Sequence, residues 1–245
     1  KEAIEKAVKI ISKAKNPIMI LGDRIAQSKS VTEAVSLAEL IGAKVYASSY
    51  TEMNFPTSHG QFMGKLRLAY PESRELLSNV DVVLAIGKLA GGYYMFSKPP
   101  MRFFEPHTSL IHIDTDPSEI GKTQRTEVGI LSDPKVALTE LSVAIEQSMV
   151  GPERQSANSR KDIILREKEA KQNQWNLNVK KKWNHSPMSP ERMIAEIAKA
   201  LPPDAIIADD AVTTSLPLHN TIPFNTPGSV FISRGGALGW GIGGA

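Results

Sequence analysis

Two carboxylates and three hydroxyls crowd into Ala208-Asp209-Asp210-Ala211-Val212-Thr213-Thr214-Ser215, directly after the apolar run Ala205-Ile206-Ile207. Such a run reads as a strand, and the space beyond a strand's C-terminal end is where α/β sheets hold ligands. Hydroxyls and turn amides placed there can hold a diphosphate. The same residues equally suit an Asp/Thr helix cap, and local sequence does not separate the two. A second cluster is Ser229-Val230-Phe231-Ile232-Ser233-Arg234-Gly235-Gly236-Ala237-Leu238-Gly239-Trp240. It puts a strand before glycines that let a backbone approach a ligand closely, with the large apolar Leu238 among residues of little side chain. This is not the dinucleotide pattern G-x-G-x-x-G in its strand, turn and helix context.

Other chemistries lack their residues. The chain has no cysteine, which excludes disulfides, iron-sulfur clusters, thiolate zinc sites and a Cys nucleophile, and which fits a reducing cytoplasm. His59, His107, His185 and His219 show no metal-ligand spacing, and neither H-E-x-x-H nor G-x-S-x-G occurs. His59 reads as loop-stabilising and His112 as a satisfied core or strand-end histidine. Gly22-Asp23-Arg24 could receive a phosphate at a sheet switch point, although a plain tight turn explains it as well. The formal charge of +3, from 29 basic and 26 acidic residues, gives no nucleic-acid surface. Nor does any stretch reach the roughly 20 apolar residues of a membrane span.

The elements that must position these clusters follow from periodicity. The first eleven residues carry apolar side chains at 4, 7, 8 and 11, the spacing of an amphipathic helix. Strands are expected at 17–22, 44–49, 80–87, 109–114 and 128–131, with helices over 30–41, 71–78 and 134–149. The strand runs do not alternate, as strands buried on both faces should not. The sum is an α/β unit, a doubly wound parallel sheet of Rossmann-like form, over residues 1–150. Residues 151–186 read as a charged helical linker whose Lys180-Lys181-Lys182 run suits a solvated helix C-terminus. A further unit over 187–245 opens at Ser189-Pro190, a cap followed by a first-turn proline. The chain opens without an initiator Met and stops in an apolar, glycine-rich segment, so it is expected to be an internal piece of a longer protein.

Three stretches together resemble the thiamine diphosphate enzymes related to pyruvate decarboxylase, acetolactate synthase and benzoylformate decarboxylase. The first is the loop Asn54-Phe55-Pro56-Thr57-Ser58-His59-Gly60-Gln61-Phe62-Met63-Gly64 followed by the Asp81 to Gly87 strand. The second, and most specific, is His112-Ile113-Asp114-Thr115-Asp116-Pro117-Ser118-Glu119-Ile120-Gly121-Lys122 with its echo from Gly129 to Leu138. The third is Asp210 with the Gly235 to Trp240 segment. The resemblance implies a central domain followed by the incomplete beginning of a second α/β domain, which binds thiamine diphosphate. The pyrimidine-binding domain with its catalytic Glu, and the Mg²⁺-holding segment, would lie outside this chain, which alone should be inactive.

Carried over, Gly236 would offer its carbonyl to the aminopyrimidine and Leu238 would wedge the cofactor into its bent shape, with Ala237 between them. Asp210, Thr213 and Thr214 would lie near the thiazolium and diphosphate. Tyr94 stands where benzoylformate decarboxylase has a working His, and is the catalytic candidate; at an ordinary pKa of about 10 it is a poorer acid near neutrality. The Lys88 to Phe96 stretch lacks the Gly-x-Arg-Phe-Asp type of the flavin-binding synthases, so FAD is not expected. The implied function is a cytoplasmic 2-oxo acid decarboxylase like benzoylformate decarboxylase. It would act as a homodimer or homotetramer on a small 2-oxo acid, with no nucleic acid and no membrane partner. The alternatives are an acetolactate synthase-type carboligase and a non-catalytic nucleotide-binding or interaction module.

Overall fold

The computed structural model of this 245-residue chain describes residues 1–48, 51–66, 71–89, 102–232 and 239–245. Runs rich in Ile, Val and Leu form the inner strands β1 (Pro17–Leu21), β2 (Lys44–Ser48), β4 (Val82–Ile86) and β5 (Ser109–Asp114). Strands β3 (Phe62–Leu66) and β6 (Val128–Leu131) are the edges. The order is β3-β2-β1-β4-β5-β6 and every pairing is parallel, the doubly wound arrangement expected from the sequence.

Strand side chains alternate between two apolar layers. Met19 and Leu21 face the layer of helices α1 (Glu2–Ile11), α3 (Val31–Ile41) and α5 (Pro134–Ser148), which contribute Val8, Leu37 and Leu138. Ile18 and Ile20 face the opposite layer with Tyr46, Leu77, Val83 and Phe104; Leu77 belongs to helix α4 (Pro71–Leu77). Asp133 caps α5 by accepting from the amides of Lys135 at 2.8 Å and Val136 at 3.4 Å, and Pro134 occupies the first turn.

Two expectations differ at the edges. Strand β6 alternates, with Val128 and Ile130 buried and Leu131 61% exposed, because an edge strand covered on one face has no use for a second apolar row. Strand β3 falls inside a stretch that reads as loop, since Gly64 takes φ +105° and the pairing with β2 shifts register. A one-turn helix, α2 (Arg24–Gln27), follows β1.

Helix α6 (Pro152–Lys181) fills the stretch read as a helical linker, and it packs along its length. Gly42 closes α3 in the left-handed conformation so close to α6 that a Cβ there would lie 2.3 Å from the Ala157 carbonyl oxygen. The Arg160 guanidinium donates to the carbonyls of Ile41 and Gly42, at 2.7 and 3.3 Å, satisfying the end of α3. Beyond it lie α7 (Pro190–Ala200), β7 (Ile207–Asp209), α8 (Ser215–Thr221), β8 (Val230–Ile232) and α9 (Trp240–Gly244). Ser189 caps α7 as expected, accepting from the Arg192 amide at 3.2 Å. Strands β7 and β8 pair in parallel. Among the described residues no helix is long and apolar enough to cross a membrane.

Candidate functional site

The two clusters singled out in the sequence meet at the C-terminal end of β7. Asp210 Oδ2 accepts from the amides of Gly239 at 2.7 Å and Gly241 at 3.3 Å, so its carboxylate ties the turn after β7 to the start of α9. The contact needs a glycine, because a Cβ on Gly241 would come within 2.8 Å of Asp210 Cβ. Asp210 is thus a capping residue, but for a helix thirty residues away and not for its own turn. Thr214 occupies the N-cap position of α8 without making a side-chain cap bond, and Thr213 is exposed. Both hydroxyls remain available to a ligand at the edge where α/β sheets bind one.

Asp209, the other member of the carboxylate pair, is the buried one, 4% exposed. Its carboxylate accepts from the Ala211 amide at 3.1 Å and the Ser215 hydroxyl at 2.6 Å, and His219 Nε2 lies 2.9 Å from it. Burial pushes its pKa up, but the bonds from His219, Ser215 and Ala211 outweigh burial and hold it below the ordinary carboxylate value. These bonds fix the 209–215 turn that carries Asp210, Thr213 and Thr214. Nothing in the local residue pattern signals this role, because the partner at position 219 becomes a neighbour only when α8 folds back.

The conspicuous Asn54 to Gly60 loop has a mechanical task. The Thr57 amide donates to the Phe224 carbonyl at 2.9 Å, and the Phe224 amide returns a bond to Thr57 Oγ1 at 2.8 Å. Ser58 donates through its amide and its hydroxyl to Asn225 Oδ1, at 3.2 and 2.8 Å. Met53, just before this loop, packs with Phe224 and Val230 under Ile207, Leu218 and Ile232 and supplies part of the apolar floor beneath β7 and β8. The loop's other end is held at the sheet: the Ala26 amide donates to Asn54 Oδ1 at 3.1 Å, and the Glu52 amide to Asp23 Oδ1 at 2.9 Å. Asp23 and Arg24 therefore serve a structural turn, in which Arg24 Nε also meets the buried Asp114 at 3.1 Å.

The remaining histidines take the plain roles the sequence suggested. His59 accepts from the Gln61 amide at Nδ1 inside its loop and bonds Glu39 of α3 through Nε2 at 3.1 Å. His112 bonds the Gly87 carbonyl at 2.9 Å within the core. No group of three or more His, Asp or Glu side chains suited to a metal occurs among the described residues. An open groove of about 560 Å³ between α6 and α7, lined by Trp175, Leu177, Trp183 and Ala195, contains no carboxylate and lies apart from the Asp210 turn. Tyr94, Gly236, Ala237, Leu238 and most of the Lys88 to Phe96 stretch lie outside the described residues.

Residues 4–141, the sheet and its helices, match the family described as "Thiamine pyrophosphate enzyme, central domain". The chain belongs to this family. Beyond that domain the likeness continues over nearly the whole length. This chain is 26% identical to sulfoacetaldehyde acetyltransferase of Castellaniella defragrans, over 98% of its own length and 42% of that protein. It is 26% identical to benzoylformate decarboxylase of Pseudomonas aeruginosa, over 95% and 40%. Its fold is shared with the crystal structure of benzoylformate decarboxylase from Polynucleobacter necessarius, with a TM-score of 0.74 and 18% identity over 98% of this chain and 41% of that one. The chain thus spans about two fifths of the length of these relatives.

Proposed function

We propose that this chain is the central domain and the opening of the cofactor domain of a thiamine diphosphate-dependent enzyme that decarboxylates a 2-oxo acid in the manner of benzoylformate decarboxylase. The observation that carries the reading is the Asp210 turn. A carboxylate locks a strand-end turn onto the glycine-rich segment while, among the described residues, no partner engages the two hydroxyls beside it. This donor set suits a diphosphate, so the residues fit the cofactor that the family implies. Thr213 and Thr214 would hold the diphosphate end, and Asp210 would keep their turn against the glycine segment. Gly236, Ala237 and Leu238 would contact the organic rings. When bound, thiamine diphosphate supplies a nucleophilic carbon and an electron sink for decarboxylation; the chain supplies binding and orientation. Tyr94 is the proposed proton donor to the substrate carbonyl. Mg²⁺ is proposed to be held by residues beyond this chain, no flavin is needed, and the working form is a cytoplasmic homodimer or homotetramer.

A second reading has its own support. The 26% identity to a sulfoacetaldehyde acetyltransferase over 98% of the chain points equally to a lyase or transferase of the same cofactor, in the same group as the acetolactate synthase-type carboligases. The test is CO₂ release from benzoylformate and a panel of aliphatic 2-oxo acids by the full-length protein, with and without thiamine diphosphate and Mg²⁺. Cofactor-dependent release that falls in Thr213→Val and in Leu238→Ala supports decarboxylation. Thiamine diphosphate-dependent consumption of sulfoacetaldehyde without CO₂ release from any 2-oxo acid would install the second reading. Tight binding of an adenine nucleotide, indifferent to Asp210→Ala, would favour a non-catalytic module.

A further inference from the structure

One ring nitrogen in this protein faces two partners that it cannot serve together. His219 Nε2 lies 2.8 Å from the Lys65 ammonium on β3 and 2.9 Å from Asp209 Oδ2 on β7. An unprotonated Nε2 accepts from the lysine; a protonated Nε2 donates to the carboxylate and repels the lysine. Lys65 belongs to the six-stranded sheet and His219 to α8, so the first bond joins the two units and the second lies within one of them. We propose that His219 is a positioning residue that works as a proton-operated clasp. As the neutral Nδ1–H tautomer it ties α8, and with it the 209–215 turn, to Lys65 on the large sheet, and a proton on Nε2 lets that tie go.

Several features make the clasp respond to protons. Among the described residues, the titratable groups facing the imidazole are Lys65 from β3 and Asp209 from β7, and the Phe224 ring stands 5.4 Å away. The His219 side chain is only 15% exposed. Burial is the largest influence and opposes its charge; the Asp209 bond favours the charge, the Lys65 cation opposes it and the Asp209 charge favours it, in that order, and the net holds its pKa below the ordinary histidine value. The ring is therefore uncharged at neutral pH, and the clasp is closed when its one proton sits on Nδ1. Because the folded protein resists a proton that the unfolded chain accepts, the stability His219 contributes is complete above the ordinary value of about 6.5. It is lost as the pH falls from there toward the lowered value. Asp209, also lowered, adds a second loss only as the pH drops below about 4.

The functional arm of this inference rests on the proposed role of the 209–215 turn in holding thiamine diphosphate; the titration arm does not. In the full-length protein with ring-labelled histidine, the His219 signal, assigned by its absence in His219→Gln, is expected to titrate below the ordinary midpoint. In Lys65→Met, an exposed substitution, the midpoint is expected to rise because the opposing cation is gone. An unchanged midpoint in Lys65→Met overturns the clasp. Calorimetric titration with thiamine diphosphate and Mg²⁺ from pH 8 to pH 5 reads the other arm. Wild-type affinity should weaken on acidification by up to about tenfold per pH unit, the limit for one linked proton, and His219→Gln should flatten that slope. A wild-type slope retained in His219→Gln overturns the clasp while leaving the cofactor site standing. No binding by the wild type at any pH would instead remove the site reading, and the Lys65→Met midpoint would still decide the clasp.

Discussion

The two halves of this chain bury their residues very differently. The first half closes a six-stranded sheet between two apolar layers, with Met19, Leu84, Ile86 and Ile113 essentially sealed from solvent. The second half pairs two three-residue strands over Met53, Phe224 and Val230, and Met53 comes from the first half. Its helices and turns leave Ile206 at 70%, Val212 at 77% and Leu216 at 64% exposed. Apolar burial at roughly 25 cal/mol per Å² supplies the main favourable contribution to folding, so the large sheet can stand on its own contacts while the small one leans on its neighbour. The candidate chemistry sits on the part that leans. Its geometry is set less by a core than by directed bonds: Thr57 with Phe224, Ser58 with Asn225, Asp210 with Gly239, and Trp175 Nε1 with Thr221 Oγ1 at 3.2 Å.

Substitutions can break this contrast. Leu84→Ala, at the centre of the large sheet, should cost about 4 kcal/mol and unfold both halves together in urea, because the second half has no independent core. Phe224→Ala should cost about 3 kcal/mol, but as an early transition confined to the second half. Limited proteolysis should cut it between residues 201 and 230 while the large sheet stays protected; a single joint transition would show that the halves are one cooperative unit. Thr57→Val leaves the Phe224 amide without its acceptor and should move the same early transition by about 1 to 2 kcal/mol. In Gly241→Ala the added methyl gains up to about 1 kcal/mol of helix propensity but meets Asp210 Cβ, an overpacking cost of about 1 to 3 kcal/mol. The clash should win narrowly and appear as weaker thiamine diphosphate binding by the full-length protein, with the large sheet unaffected. Glu196→Gln removes an exposed ion pair with Lys199 and should shift the urea midpoint by an amount equivalent to less than about 0.5 kcal/mol.

The large sheet was legible because its strands declare themselves. Residues 17–21 and 82–86 are unbroken apolar runs and 110–113 is broken only by His112, and a strand covered on both faces requires such a composition wherever it lies in the sequence. Strand β3 was not legible, since Gly64 and Lys65 interrupt the pattern at an edge where one face needs no apolar row. The site was half legible. The chemistry of Asp210, Thr213 and Thr214 could be read locally, as could the glycines that come to meet them. Asp209 could not be told from its neighbour, because its partner His219 is ten residues on and that partner's competing ligand, Lys65, lies on another sheet.

The sequence by itself determined the family, the doubly wound first unit and the two segments that must approach one another. Each of these depends on residue type and short-range spacing, which the chain carries unfolded. Tertiary structure alone decided that the Asn54 to Gly60 loop is the dock for Phe224 and Asn225. It alone made Asp210 the cap of a distant helix and set His219 between an ammonium and a carboxylate. Those roles are distances between residues far apart in sequence, and they come into being only when burial of the large sheet brings the two halves together.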